Sequence, residues 1–380
     1  MILEIFSIYT LERVGMIKTY KFAQYIEKFC GVGSFSVKVP LTEESLKYLN
    51  RNHFILFEED TIGIIRYRKK SSNDNSIVEI KGYLSNKILE WRFLLTTKSF
   101  RGTATDISRE LVDSLFINNI DSRRNIPFIT LSNDNKYIPD SPSSSFQATG
   151  KTTGYLIQSV LEPIGYGYSL TPILSKYNDK TSKLTNISCL EFRVHRPSNR
   201  TVENTEGNTP VLFSKEMNNL SKSEYTEDDT EFCSTAIVAG EGTGAARALV
   251  EAGDTEVSGI DRIELYVDAR DLQSTVNEVT MTEEEYKKLL LSRGNSYLED
   301  HASFTSINGT VIDGTSAYRY KRDFFNGDYV SVMDEELGVL ASVQITQVTK
   351  SVTESGEKLD VTFGKDRVTI QQIIRKRGVS

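Results

Sequence analysis

Cysteine is scarce in this chain of 380 residues: there are three, Cys30, Cys189 and Cys233, odd in number and far apart. That argues against a disulfide framework and for folding in a reducing cytoplasm. Histidine is as rare. His53, His195 and His301 are isolated, and neither a His-x-x-x-His nor a Cys-x-x-Cys spacing occurs, so a zinc site would have to be assembled from distant residues. No apolar run approaches the ~20 residues of a transmembrane helix. The opening Met-Ile-Leu-Glu-Ile-Phe lacks the basic segment and apolar core of a secretory signal, so passage through the Sec machinery is not expected. Positive charge is not in excess either. A net charge of -7 leaves no electrostatic footprint for nucleic acid, and the small basic groups at 66–70 and 375–377 are expected to be solvated strand ends.

Catalytic signatures are missing in the same way. The run Gly240-Glu-Gly-Thr-Gly-Ala-Ala-Arg247 is rich in glycine, yet it has neither the Lys-Ser/Thr of a Walker loop nor a Gly-x-Gly-x-x-Gly fingerprint with its downstream acid. A loop at a strand end is the expectation. Asp228 and Asp229 fall in a polar loop, and Glu283, Glu284 and Glu285 fall in the first turn of a helix, where the helix dipole accounts for them. There is no Gly-x-Ser-x-Gly elbow and no Cys/His pair. The paired carboxylates of a glycosidase are defined by separation in space, which one sequence does not reveal. No catalytic, cofactor-binding or metal-binding residue is therefore assigned, and no cofactor is expected.

What is present is an ordinary globular composition, with 38% hydrophobic and 26% charged residues, in a chain long enough for two to three domains. Residues 1–100 read as short β runs at 3–6, 14–17, 34–39, 54–57, 62–67 and 77–80, separated by turn chemistry. One short helix is expected after Pro40, with Thr42 as N-cap, Glu43 and Glu44 in its first turn and a Leu41/Leu46 staple. Residues 101–200 change character. Thr103 to Asp106 is a capping signal before Ile107, Leu111 and Leu115, with Val112 and Phe116 beside them, which predicts an amphipathic helix. A long polar loop punctuated by Pro127, Pro139 and Pro142 follows, with 141–145 its most flexible part. A second helix then starts near Thr153 and stops at Pro163, and strands are expected at 165–170 and 190–195. This segment reads as a separate α+β domain.

After a polar linker at 198–208 the pattern is β again. It is interrupted at 281–291 by a helix with a Thr282/Glu285 capping box, a Met281/Tyr286 staple and a Glu284/Lys288 pair. The last stretch, 320–364, predicts a three-strand meander with turns at 335–338 and 354–357. Asn326-Gly327-Asp328 supplies a positive-φ turn into its first strand.

That meander resembles the closing segment of the siphovirus tail-hub proteins of the tail-associated, ReqiPepy type, which are related to the trimeric baseplate hub of contractile phages. The resemblance rests on the Asp-aromatic-Phe-x-Gly-Asp-x-Val run at 323–330, Ile-Thr-x-Val at 345–348 and Thr-Phe-Gly at 362–364, in that order. It extends to the strand at 31–40, to Gly82, Leu89 and Arg92 within 79–92, and to the Asn-Leu pair at 219–220. Ala-Gly-Glu-Gly at 239–242 and the Arg247 that follows complete it. Tyr83 departs from the pattern, standing where a basic residue is usual.

The resemblance implies an α+β, mostly β chain. It would have a first β-barrel tube domain at 1–100, an α+β domain at 101–200, and a second β-barrel tube domain at 201–380 with a helical insertion near 270–302. It implies a non-enzymatic structural virion protein of the tail tip or baseplate, made in the bacterial host cytoplasm. Its partners would be itself as a homotrimer, the distal tail or tail tube protein, a tip, spike or fibre protein, and the tape measure protein, with no sequence-specific nucleic acid. Longer relatives place peptidase or lysozyme domains after the last barrel strand, and no such domain is expected in the residues beyond 364 here. The alternatives are a cell-wall hydrolase acting in penetration and a carbohydrate-binding tail protein acting in adsorption, the latter supported only by an aromatic content of 10%.

Overall fold

The computed structural model describes residues 1–70, 76–133, 141–175, 186–276, 279–311, 318–334 and 339–364. The expected turn at 335–338, Pro139 and the basic group at 375–377 lie outside them. The chain is mostly β and divides into two compact units, neither continuous in sequence. The first unit is built from Met1–Lys21, Cys30–Arg196 and Asp229–Ser303, the second from Phe22–Phe29, Pro197–Asp228 and Phe304–Ser380. Contiguous segments bounded near 100 and 200, as read from the sequence, do not describe these units.

In the first unit the runs read from apolar alternation form an antiparallel sheet in the order Ser34–Pro40, Ile77–Leu84, Thr61–Lys70, His53–Glu58, Leu3–Ser7, Arg13–Ile17. Gly82 lets two strands come together, since a Cβ there would fall 1.9 Å from the Ile64 carbonyl oxygen. Helix α1 (Glu43–Tyr48) has the expected Thr42 cap. The Thr42 hydroxyl accepts from the Ser45 amide at 3.1 Å and the Ser45 hydroxyl oxygen accepts from the Thr42 amide at 2.9 Å. The expected staple is weak, because Leu46 stays 45% exposed.

Helices α2 (Ala104–Val112) and α3 (Thr153–Leu161) are capped by Thr103 and Thr152. The apolar stripe of α2 is buried as its spacing requires, and the helix widens into a π-helical turn at Asp113–Ile117. Beyond α3, Pro163 lies in a 3-10 turn and Gly165, at φ 69°, ends the helical path. These helices pack with a sheet in which Ile187–His195 pairs antiparallel with Gly167–Leu174 and parallel with Ile129–Leu131. Ile107, Leu111, Leu156 and Phe192 belong to the same apolar cluster as Phe6, Phe54 and Ile64 of the N-terminal sheet. At ~1.5–3 kcal/mol for each fully buried large side chain, that shared core binds residues 101–196 to the first strands rather than letting them stand alone.

The rest of the first unit is a three-strand sheet covered by α4 (Glu283–Asp300). Thr235–Ala239 lies between Leu249–Gly253, antiparallel, and Glu264–Asp268, parallel. Thr282 and Glu285 form the expected capping box, and Met281 and Tyr286 meet in one core with Val238, Val250 and Leu290. The helical insertion foreseen near 270–302 is therefore larger. It begins at Asp229, and the whole of Asp229–Ser303 leaves the second unit.

In the second unit the sheet order is Leu220–Asp228, Phe304–Val311, Gly356–Gly364, Val339–Thr353, Phe22–Lys28. Tyr329–Asp334 pairs antiparallel with the first part of Val339–Thr353, which gives the meander foreseen in the sequence. The strand Phe22–Lys28 was not foreseen. Tyr25 and Ala23 are buried, but Phe22 and Ile26 are half-buried on the opposite face, so the run does not alternate. The polar linker at 198–208 is also more ordered than its composition predicts, because Asn199–Arg200 pairs in parallel with Tyr329 and Val330.

Two closed barrels were expected, and the described residues form open sheets instead: in neither unit does the last strand return to the first. At the Arg13–Ile17 end of the first sheet the ring of Tyr48 from α1 packs on the face of the sheet at Gly15. In the second sheet the terminal strand Leu220–Asp228 carries Lys222, Glu224, Glu227 and Asp228, a composition that discourages further pairing.

Gly327 has φ 101°, as the turn requires, and a Cβ there would fall 2.1 Å from the Phe29 ring. Gly327→Val therefore faces both backbone strain and overlap with a buried aromatic. Its expected cost is about 1–3 kcal/mol, read as a lowered urea midpoint; a variant unfolding with wild-type stability would refute this account of the turn.

Candidate functional site

The motif at 323–330 gathers a set of buried aromatic, ionic and backbone interactions. Phe324 is fully buried and meets Phe213 edge-on with ring centroids 5.2 Å apart, while Phe213 packs on Phe363 at 5.4 Å. Asp323 accepts from the Arg319 amide at 2.7 Å and pairs with Arg322 at 2.6 Å. The hydrogen bond from Arg322 is the main reason its carboxyl lies below the usual range. The Gly327 amide donates to the Ile345 carbonyl at 2.8 Å, which seats the turn on the neighbouring strand.

Asp328 is the centre of this arrangement. It is 4% exposed, and its carboxylate accepts from the Phe325 amide at 2.9 Å, from Arg200 Nε at 2.9 Å and from the Ser198 amide at 3.3 Å. Burial lifts its carboxyl above the ordinary carboxylate range, and the Phe325 amide and the Arg200 guanidinium oppose that lift. On either side the backbone continues the connection. The Tyr329 amide donates to the Ser198 carbonyl at 2.9 Å and the Ser331 amide to the Val211 carbonyl at 3.0 Å. Glu27 ties in the N-terminal strand of this unit, accepting from the Tyr320 hydroxyl at 2.8 Å with Lys321 3.6 Å away. Sequence reasoning found the turn but not the carboxylate's partner, since nothing in a polar linker marks Arg200 as the residue that will neutralise it.

The other residues of the resemblance also hold structure. Leu89 is fully buried, and Arg92 donates to the Arg124 carbonyl at 2.9 Å while lying 5.7 Å from the Phe116 ring centre. Arg247 donates to the carbonyls of Gly240 and Ala239 and to Asp268, locking the glycine-rich loop to its own strands. The Glu241 amide of that loop donates to the Tyr286 hydroxyl at 2.9 Å. A phosphate cradle needs such amides free and pointing at the anion, and this one is engaged.

The histidines stay apart, His53 and His301 each having Nδ1 against a main-chain carbonyl, of Tyr48 at 2.7 Å and of Tyr297 at 2.8 Å. His195 Nε2 meets the Ser169 hydroxyl at 2.7 Å, and Ser169 also meets the Thr171 hydroxyl at 2.9 Å. A nucleophile and its base need such a contact, but here it joins side chains of two paired strands, Gly167–Leu174 and Ile187–His195. The cysteines are free thiols, and burial pushes Cys30 well above its usual value, which removes the thiolate that reactivity requires. Among the described residues no group of three His, Cys, Asp or Glu side chains is placed to hold a metal ion. In the acidic runs, Asp229 accepts from the Ser303 hydroxyl and Glu285 accepts from the Thr282 amide and Arg101. A cleft of about 660 Å³ between α3 and α4 contains Arg101 and Arg293, but Glu285 and Asp271 already neutralise them.

Asp328→Ala leaves a half-buried guanidinium and two amides without their acceptor, so it should cost about 1–3 kcal/mol in a denaturant titration. Asp328→Asn, which keeps an oxygen acceptor, should cost less, and equal effects would contradict the assigned contacts. Burial, with Arg193 adding to it, lowers the His195 pKa from 6.5 to about 4. The unfolded chain then takes up a proton that the folded chain refuses, so stability present above pH ~6.5 is lost as the pH falls towards ~4. His195→Gln should flatten that part of the stability profile; an unchanged slope would show that His195 does not titrate this way.

Three solved structures share the fold over nearly the whole chain. Prophage tail protein gp18 from Listeria monocytogenes EGD-e aligns with a TM-score of 0.54 at 13% identity, covering 99% of this chain and 98% of that one. The 43 kDa tail protein of prophage MuSo2 from Shewanella oneidensis aligns at 0.54 and 13% identity, covering 96% and 98%. A tail protein from Neisseria meningitidis MC58 aligns at 0.55 and 11% identity, covering 96% of each. A search of curated protein sequences found no match. A family model matches residues 2–365, and by that match, which takes in Asp328 and its partners, the chain belongs to the Siphovirus ReqiPepy6 Gp37-like protein family.

Proposed function

We propose that this chain is the homotrimeric hub at the distal end of a phage tail, or of a phage-tail-like particle, where it joins a hexameric tail tube to a trimeric tip, spike or fibre. The observation that carries the reading is the family match over residues 2–365, supported by a fold shared end to end with three phage tail proteins. Its role is structural, and no catalytic step is assigned to it.

The geometry of the reading follows from symmetry. Each chain contributes two β-rich segments, the proposed tube domains near 1–100 and 205–370 with the α+β segment between them. Three chains then present six such segments to a six-fold tube above and three identical faces to a trimer below. A head-to-tail contact of this kind must close into a ring, because one that failed to close would propagate as a fibre. A stable ring should bury well over ~1,000 Å² at each contact. The partners are other copies of the chain, the distal tail or tube protein, the tip, spike or fibre protein and the tape measure protein, all in the virion tail tip after synthesis in the host cytoplasm.

An image reconstruction of an assembled tail tip tests this directly. Three copies are expected around the axis, with the two β-rich segments alternating about a central channel. Six copies, or a peripheral position, would overturn the hub assignment while leaving family membership intact.

A further inference from the structure

The outward face of the Ile77–Leu84 strand inverts the sign of an otherwise acidic chain. Along this strand Val78, Ile80, Gly82 and Leu84 are buried, so Glu79, Lys81 and Tyr83 face the other way. Directly opposite Glu79 stand Lys69 on one neighbouring strand and Lys38 on the other; opposite Lys81 stand Tyr67 and Ser36. Since neighbouring strands lie ~4.8 Å apart, three lysines surround a single carboxylate. Lys81 takes it, with Nζ 3.0 Å from Glu79. Lys38 and Lys69 are exposed, and neither has an ionic partner among the described residues. Sequence alone reads Lys69 as part of a solvated strand end; the register makes it half of a matched pair across a carboxylate.

The aromatic residues here determine what such a face accepts. Lys81 lies 5.6 Å from the ring centre of Tyr67, Lys87 5.0 Å from that of Tyr83, and Arg66 4.7 Å from that of Trp91. One face of each ring is taken by a cation of this chain, and the ring holds that cation in place. Single-stranded nucleic acid gains much of its affinity by stacking bases on open aromatic faces, and a lysine or arginine already seated on each ring leaves less of that here. Carboxylates need only the ammonium groups, whose spacing along the face is set by the sheet's register. We propose that this face docks an acidic segment of a partner protein, with Lys38 and Lys69 as the residues that meet its carboxylates. The inference stands on the register of one sheet and does not depend on a hub position.

The test uses the full chain and a fluorescein-labelled oligoglutamate peptide as the probe, followed by fluorescence anisotropy at low and raised salt. Binding that weakens with salt is expected, as screening requires. It should fall roughly tenfold or more in Lys38→Glu/Lys69→Glu, and by a smaller factor in the neutral variant Lys38→Gln/Lys69→Gln. The neutral variant provides the same test should the charge-reversed chain fail to fold. Absence of binding, equal binding by wild type and the variants, or tighter binding of oligothymidylate than of oligoglutamate would each overturn the proposal.

Discussion

A carboxylate removed from water must be given partners within reach, and the second unit is arranged to provide them for Asp328. Three donors converge on it from two parts of the chain that are far apart in sequence, the Ser198 and Arg200 segment and the Phe325 turn. None of these parts can shift independently without leaving a buried charge exposed to an apolar surround, which is among the most expensive faults a core can have. The parallel pairing of Asn199–Arg200 with Tyr329 and Val330 and the seating of Gly327 on Ile345 are the backbone expression of the same constraint. The aromatic group of Phe213, Phe324 and Phe363 then fills the space that the fixed turn defines.

This explains why the motif at 323–330 can be read from sequence while its partner cannot. Gly327, Asp328 and the strand after them are local, and local turn chemistry states its requirement in adjacent residues. Arg200 is long-range, and its segment has the composition of a loop. The same division runs through the fold. The caps at Thr42, Thr103 and Thr282, the helix of Ile107 and Leu111 and the meander were legible because their signals lie within a few residues. The strand Phe22–Lys28 was not, because both of its faces are partly covered and alternation is lost. Barrel closure was not legible either, since it depends on which strands end a sheet, and that is settled by pairings between residues far apart in the sequence.

Several residues of the types that ordinarily suggest chemistry are engaged in local structure here. A glycine-rich loop has one of its amides engaged by a tyrosine, a histidine is kept neutral by burial between strands, and the acids of α4 cap their own helix. Where the chain does present unmatched charge, on the lysine face of the first sheet, the head groups stand on strands whose register is fixed by a buried opposite face. A surface of that kind is suited to recognition, in which pre-set positions matter more than reactivity.

The way the chain is shared between the units also bears on the time course of its synthesis. Val348 pairs with Glu27 and Val352 with Ala23, so the strand Phe22–Lys28 has its partner in this sheet near the other end of the polypeptide. At ~5–20 residues per second, that strand leaves the ribosome tens of seconds before Val339–Thr353 exists. The first unit takes in sequence on both sides of it, Met1–Lys21 and Cys30–Arg196, and can begin to compact meanwhile. The second unit is thus completed from segments far apart in sequence, and a ribosome that stops before Val339 leaves its earliest strand without this partner.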